Sequence, residues 1–156
     1  MIKIACVGDN CVDFYDNTNE AFPGGNPVNV AVYVRRLGGE SAYLGAVGTD
    51  DYGHLMLDAL SGKGVDVSHV QVLEGTTALS HVNRINGERV FGDYEEGVMA
   101  EFALREEDID FICSYDLVVY CTVCGAELSR EHKTVDKLIA VAKIGEIRYE
   151  KLSEAI

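Results

Sequence analysis

The chain has 156 residues, of which 47% are hydrophobic and 25% are charged, as in ordinary soluble globular domains. Its 13 basic and 26 acidic residues give a formal net charge of −13. A field of that sign repels a phosphate backbone, so we expect no nucleic-acid partner. No apolar run approaches the roughly 18 residues of a membrane span, and the N-terminal segment lacks the pattern of a signal peptide. We therefore expect a cytoplasmic protein that does not bind membranes.

Strands and helices alternate in the first part of the chain. The predicted elements are a buried strand at 2–8, a half-exposed strand at 11–16, a helix at 27–37, a strand at 41–48 and a helix within 49–64. The first strand is predicted from its near-continuous apolar run. The first helix is predicted to begin with Asn26 as its cap and Pro27 in its first turn.

The pattern changes between residues 67 and 98 to short alternating segments around Asn86-Gly87, which is a typical hairpin turn. A helical turn near 105–113 and an apolar strand at 116–122 follow, and a polar helical stretch begins near 129. Strand–helix alternation with an antiparallel insertion predicts a layered α/β domain that carries a small β-sheet.

The cysteines and histidines predict neither disulfides nor a metal site. Five cysteines at irregular spacing argue against a disulfide framework. The CxxC pair at 121–124 has no second pair, and the four histidines do not have the spacing of zinc ligands. We expect reduced thiols and no bound metal.

The segment GGNPVN at 24–29 admits two interpretations. Caps, a proline and turn glycines make a sound helix start, and that alone explains most of it. Alternatively, Gly24-Gly25 lets backbone approach a ligand closely, and the amides of Asn26 and Asn29, three residues apart, point the same way. Asp13 on the preceding strand could accept from two neighbouring hydroxyls at once. A carboxylate with two amides suits a ligand rich in hydroxyls.

A family resemblance supports the second interpretation. Seven residues stand at the spacings of the N-terminal signature of the ribokinase-like (phosphofructokinase B) carbohydrate kinases: Gly24, Gly25, Pro27, Asn29, Ala31, Gly38 and Gly48. VGTDDYG at 47–53 resembles that family's next element, and residues 1–128 as a whole resemble the N-terminal half of a member. GDNCVD (8–13) and RVFGDYEEGVMAEFAL (89–104) resemble, more narrowly, its fructoselysine 6-kinase branch, which phosphorylates a sugar–lysine adduct.

The resemblance implies a fold, an activity and a set of partners. The fold is a partial three-layer α/β/α sandwich with a small β-sheet lid, formed by segments 11–16 and 67–98. The activity is ATP-dependent phosphorylation of a sugar hydroxyl, with ATP and Mg²⁺ as cofactors of the full-length kinase. The implied partners are a sugar or sugar–amino-acid adduct and a second copy of the chain, which would dimerise through the lid.

The resemblance also implies roles for individual residues. Asp13, Gly25, Asn26 and Asn29 match positions that contact the sugar, although ribokinase-type members often have lysine at the position of Asn26. The candidate lid residues are Arg89, Asp93 and Glu95. The acidic residues of this lid segment, which include Glu96, could attract the ammonium group of a lysyl substrate, and a solvated acidic turn is the alternative.

The catalytic part of the family pattern is missing from the sequence. Members are longer and carry a Gly-Ala-Gly-Asp type motif, whose Asp is the general base and whose glycine N–H groups bind the transferring phosphoryl group. GAVGTDD at 45–51 resembles that motif only superficially, since it belongs to the N-terminal pattern. We therefore expect a truncated chain with an atypical helical tail at 129–156, without catalytic residues and inactive alone.

Two alternative functions differ in how well they agree with the sequence. A non-catalytic sugar-binding or dimerisation module would use the same half-domain and lid. A Rossmann-type dinucleotide binder is excluded, because VGDNCVD at 7–13 lacks the GxGxxG turn.

Overall fold

A computed structural model describes residues 1–120 as an α/β arrangement. The strands are β1 (Lys3–Val7), β2 (Cys11–Tyr15), β3 (Glu20–Gly24), β4 (Glu40–Leu44), β5 (Ala46–Gly48), β6 (Gln71–Leu73), β7 (Leu79–Ile85), β8 (Glu88–Glu95) and β9 (Leu117–Tyr120). The helices are α1 (Asn26–Arg36), α2 (Asp51–Ser61), α3 (Glu106–Cys113) and a 3-10 helix (Gly97–Glu101). The predicted tail at 129–156, the CxxC pair and the end of the strand predicted at 116–122 lie outside the described residues.

Helices cover both faces of a parallel sheet with the strand order β4-β1-β9. Side chains of β1 alternate between the faces, as a strand requires. Cys6 packs in a core cluster with residues of α1 and α2, including Val28 and Met56. Ala5 and Val7 pack in the other cluster with Ile112 of α3. The described part of the chain therefore has three layers, as the sequence predicted.

Helix α1 confirms the predicted helix but not its predicted cap. The N-cap residue is Gly25, with φ 107° and ψ 141°, and no side chain caps the helix. Asn26 is already the first helical residue, so the prediction that its amide caps the helix was wrong. The backbone angles at the N-cap explain the difference, because the combination of φ 107° with ψ 141° is essentially restricted to glycine.

Two further differences arise from the strands. The strand predicted at 41–48 is broken at Gly45, because β4 pairs with β1 whereas β5 leaves that sheet and pairs with β6. The Tyr43 hydroxyl occupies the space that a Cβ at Gly45 would need, so the position accepts only glycine. Strand β3 was not predicted, since its sequence EAFPG contains proline and glycine. Pro23 is accommodated because β3 lies at the edge of its sheet.

Asp50 connects the start of α2 to the segment that leads into β7. Its carboxylate accepts hydrogen bonds from the Gly53 N–H at 2.9 Å, the Thr77 N–H at 2.9 Å and the Thr77 hydroxyl at 2.6 Å. Burial raises the pKa of Asp50, but the bonds from Thr77 and Gly53 outweigh it and hold that pKa below its ordinary value. Asp50 is thus the N-cap residue of α2 and ties that helix to the segment before β7.

A separate four-stranded sheet, which we call the lid sheet, has the order β3-β2-β7-β8. Strands β7 and β8 form the predicted hairpin, with positive φ angles at Asn86 (53°) and Gly87 (87°) as a type I′ turn requires. The lid sheet is smaller than the predicted segments, because β6 within 67–98 pairs in parallel with β5 instead.

Candidate functional site

A cavity of about 590 Å³, which we call the lid cavity, opens on one face of the lid sheet. Its lining includes Asp13 and Tyr15 of β2, Asn29 of α1, and Arg84 and Arg89 of the β7–β8 hairpin. Residues far apart in the chain therefore meet at one place. Both carboxylate and guanidinium groups are available there to a ligand.

The Asp13 carboxylate is held in the middle of the lid sheet. Asp13 lies opposite Phe22 of β3 and Ser80 of β7 in the strand register. The Cys11 thiol donates a hydrogen bond to its Oδ1 at 3.6 Å. Burial, followed by the nearby charge of Asp13, raises the pKa of that thiol to about 12, so it remains a protonated donor.

Packing within the protein explains both glycines of the GGNPVN segment. A Cβ at Gly24 would lie 3.3 Å from the Asp13 carboxylate and would crowd it. A Cβ at Gly25 would lie 2.7 Å from both the Cα of Asn10 and the carbonyl oxygen of Asp9. Gly25 therefore allows α1 to begin against the β1–β2 loop.

Asn10 in that loop is fully buried in a polar network. Its amide nitrogen donates to the Tyr43 hydroxyl at 2.8 Å and to the Ala46 carbonyl oxygen at 2.7 Å. Tyr43 in turn donates to the Gly8 carbonyl oxygen at 2.6 Å. The network fixes the loop between β1 and β2, and thereby the entry to the strand that carries Asp13.

The structure brings two of the four predicted sugar-contact residues to the lid cavity. Asp13 and Asn29 line it, while Gly25 and Asn26 are not among its lining residues, although they begin the same helix as Asn29. Asn26 is exposed. Of the two amides that were expected to face the sugar, that of Asn29 lies in the cavity and that of Asn26 does not.

The three candidate lid residues separate in a similar way. Arg89 lines the lid cavity, and Asp93 and Glu95 do not. Glu95 pairs with Leu79, which shares a face with Val12 rather than with Asp13. The pKa of His81 is raised first by its hydrogen bond to Asp16 and then also by the charges of Glu95 and Asp93. The acidic residues of β8 thus act near His81, away from the cavity.

Sequence analysis did not identify Arg84 or Tyr15 as site residues. Arg84 lies directly opposite Arg89 in the hairpin register. Their guanidinium carbons lie 5.9 Å and 6.0 Å from the centre of the Tyr15 ring. The two-residue turn at Asn86-Gly87 fixes this register, so the opposition of the two arginines could have been read from the sequence.

Residues 1–120 contain neither a candidate membrane-spanning helix nor a candidate metal cluster. None of the helices in this part of the chain is both long and apolar enough to cross a bilayer. The same residues contain no group of three His, Cys, Asp or Glu side chains arranged to hold a metal ion.

Comparison with known proteins places this geometry in a family. The family model described as "pfkB family carbohydrate kinase" matches residues 1–150. Fructoselysine 6-kinase of Escherichia coli is 51% identical over 118 residues, which are 76% of this chain and 45% of that protein. A fructosamine kinase of Bacillus subtilis is 35% identical over 121 residues, which are 75% of this chain and 43% of that protein. The chain thus spans less than half the length of either relative.

Solved structures agree with the fold. A sugar kinase from Pyrococcus horikoshii has a TM-score of 0.70 and 26% identity, covering 90% of this chain and 50% of that one. A second structure of the same kinase, in complex with ATP, has a TM-score of 0.64, covering 75% and 42% of the two chains. The fold is thus ribokinase-like and partial, as the sequence predicted. With its N-terminal signature, its layered sheet and its lid sheet, the chain belongs to the pfkB family of carbohydrate kinases.

Proposed function

We propose that this chain supplies the sugar-binding part of an ATP-dependent kinase that phosphorylates a sugar hydroxyl, with a sugar–amino-acid adduct such as fructoselysine as substrate. The observation that carries the proposal is that Asp13 and Asn29, on different elements, line one cavity of about 590 Å³. The relatives named fructoselysine 6-kinase and fructosamine kinase support the choice of substrate.

Asp13 and Asn29 have complementary roles in the proposal. An ionised carboxylate accepts from two neighbouring hydroxyls, and its charge makes these bonds roughly twice as strong as neutral ones. The amide of Asn29 offers a donor and an acceptor to the next hydroxyl. Gly25 and Asn26, which the resemblance also assigns to the sugar, do not line the cavity but begin the helix that carries Asn29. Together Asp13 and Asn29 would orient the polyol.

We do not assign phosphoryl transfer to any residue in the described part of the chain. A missing general base lowers a rate by about 10²–10⁴, and the Gly-Ala-Gly-Asp type motif does not occur in the sequence. We therefore propose that the 156 residues bind the sugar without transferring phosphate, and that ATP and Mg²⁺ are cofactors of the whole kinase, which acts in the cytoplasm.

A non-catalytic dimerisation module is the second candidate, and the surface of the lid sheet favours it. Phe91 is 65% exposed and Tyr94 54% on the edge strand β8, and Phe22 is 49% exposed on the opposite edge strand β3. Exposed apolar side chains on edge strands favour association with another chain. Complementation separates the candidates. Added C-terminal half of the E. coli fructoselysine 6-kinase should restore ATP-dependent phosphorylation of fructoselysine if the chain is part of a kinase, and should have no effect if it is only a module.

Sugar binding is tested by calorimetric titration of the full chain with fructoselysine. Asp13→Asn should weaken binding roughly 10- to 100-fold, since a hydrogen bond to a charged group contributes about 1.5–3 kcal/mol. Asp58→Asn is the matched control, because it removes the same charge from an exposed position of α2. Equal binding by the wild-type chain and Asp13→Asn, or no binding of the polyol at all, would contradict the proposal.

A further inference from the structure

Two arginines of the lid sheet are placed where they repel one another. Arg84 and Arg89 lie directly opposite in the β7–β8 register, and like charges in such a pair destabilise it. Both guanidinium groups approach the same ring, that of Tyr15, at 5.9 Å and 6.0 Å. Neither arginine forms an ion pair with a carboxylate within the described part of the chain.

Both arginines also line the lid cavity, together with Asp13 and Glu20. Two cations thus face one cavity in a protein whose formal net charge is −13. The two carboxylates lie in the same cavity without pairing to either arginine at salt-bridge distance. The positive charge is therefore available to a ligand.

The arginines lie at a distance from Asp13 that suits a substituted sugar. Tyr15 follows Asp13 by two positions on β2 and so shares its face of the sheet. Two positions along a strand correspond to roughly 7 Å. A polyol held at Asp13 would thus extend a substituent towards the guanidinium groups above the ring of Tyr15.

We propose that Arg84 and Arg89 form a clamp for an oxyanion carried by the bound polyol, either the carboxylate of an amino-acid adduct or a phosphate ester. Guanidinium groups bind both anions through paired N–H donors, which lysine cannot do. An oxyanion between the two arginines replaces their mutual repulsion with two attractions. This inference rests on the proposed sugar site. It adds that the ligand carries an anionic group, which a plain sugar lacks.

The test is a calorimetric titration of the full 156-residue chain with four ligands: fructoselysine, its decarboxylated analogue fructosylcadaverine, fructose 6-phosphate and fructose. Fructoselysine should bind at least tenfold more tightly than fructosylcadaverine if the anion is a carboxylate. Fructose 6-phosphate should exceed fructose by a similar factor if it is a phosphate. The difference in affinity between the anionic ligand and its neutral counterpart should shrink as the salt concentration is raised, because it is electrostatic.

Substitutions of the two arginines test whether they cause the tighter binding of the anionic ligand. The double substitution Arg84→Gln and Arg89→Gln should abolish the preference for the anionic ligand over its neutral counterpart. Arg36→Gln is the matched control, because Arg36 also lies over a tyrosine ring, that of Tyr33 at 5.2 Å, but outside the lid cavity. Circular dichroism of each variant checks that the fold is retained.

The outcomes separate this inference from the function on which it rests. If the wild-type chain binds the neutral and anionic ligands equally well, the clamp is wrong and the sugar site stands. If the double variant keeps the preference, the clamp is also wrong. If the wild-type chain binds none of the four ligands, the sugar site fails and the clamp fails with it.

Discussion

Gly25 and Gly38 share a positive φ, 107° and 85°, but differ in their surroundings. A Cβ at Gly25 would meet the backbone of residues 9 and 10 at 2.7 Å, whereas one at Gly38 would meet nothing within 4 Å. Gly25→Ala should therefore lower the free energy of unfolding by about 2–4 kcal/mol, from the strained φ and the contact together. Gly38→Ala should cost only about 1 kcal/mol, from the φ alone.

Urea unfolding of both variants measures these costs. Equal losses at the two positions would show that the β1–β2 loop moves aside easily and that Gly25 does not fix the start of α1.

The chemical character of individual residues predicted part of the candidate site. The remaining site residues are explained by the strand register. Asp13 and Asn29 could be selected because carboxylates and amides suit a polyol, and both line the lid cavity. Asn26 was selected on its spacing from Asn29, but spacing along a helix start does not show which amide faces the cavity. Arg84 was missed, although the turn at Asn86-Gly87 places it opposite Arg89 and this register could have been read from the sequence.

Helix α3 begins at a buried carboxylate, that of Asp108, whose contribution to the free energy of unfolding depends on pH. Asp108 accepts from the Arg105 N–H at 2.8 Å and from its guanidinium at 2.9 Å, and the His69 Nδ1 lies 2.8 Å from it. Burial raises the pKa of Asp108, but these partners, first Arg105 and then His69, outweigh it and lower that pKa below 3.8. The stabilisation is therefore present above pH 3.8 and is lost as the pH falls through the lowered value.

Asp108→Asn should accordingly cost about 1.5–3 kcal/mol of the free energy of unfolding at pH 7, since it removes bonds to a charged group. The cost should shrink as the pH falls below 3.8. Denaturant titrations at several pH values measure it, with Asp110→Asn, exposed on the same helix, as the control. A cost that stays constant down to pH 2 would contradict the assignment.

Most elements could be predicted because apolar periodicity and turn residues are local signals. The hairpin at Asn86-Gly87 and helices α1 and α2 are examples. The break at Gly45 depends on strands far away in the chain, since β4 pairs with β1 and β5 with β6. Strand β3 contains proline and glycine, so its own residues do not indicate a strand, and it forms by pairing with β2. The apolar pattern of either segment does not contain this pairing.

For the whole molecule, the exposed apolar side chains of the lid sheet predict self-association. We expect a homodimer through this surface, because Phe91 and Tyr94 are more than half exposed on a strand at the edge of the sheet. Phe91→Asp should shift the chain towards monomer in sedimentation velocity. Leu37→Asp, at an 86% exposed position outside the lid sheet, should not. A wild-type chain that sediments as a monomer at all concentrations would exclude this contact.

The whole account depends on a polyol bound between β2 and α1. NMR titration of the full chain with fructoselysine tests this most directly, by following the side-chain amide of Asn29 and the backbone amide of Asp13. The account predicts saturable shifts at both, with smaller changes at the amides of α3, which packs on the β4-β1-β9 sheet. Shifts confined to residues outside the lid cavity, or no saturable shift at either reporter, would contradict it.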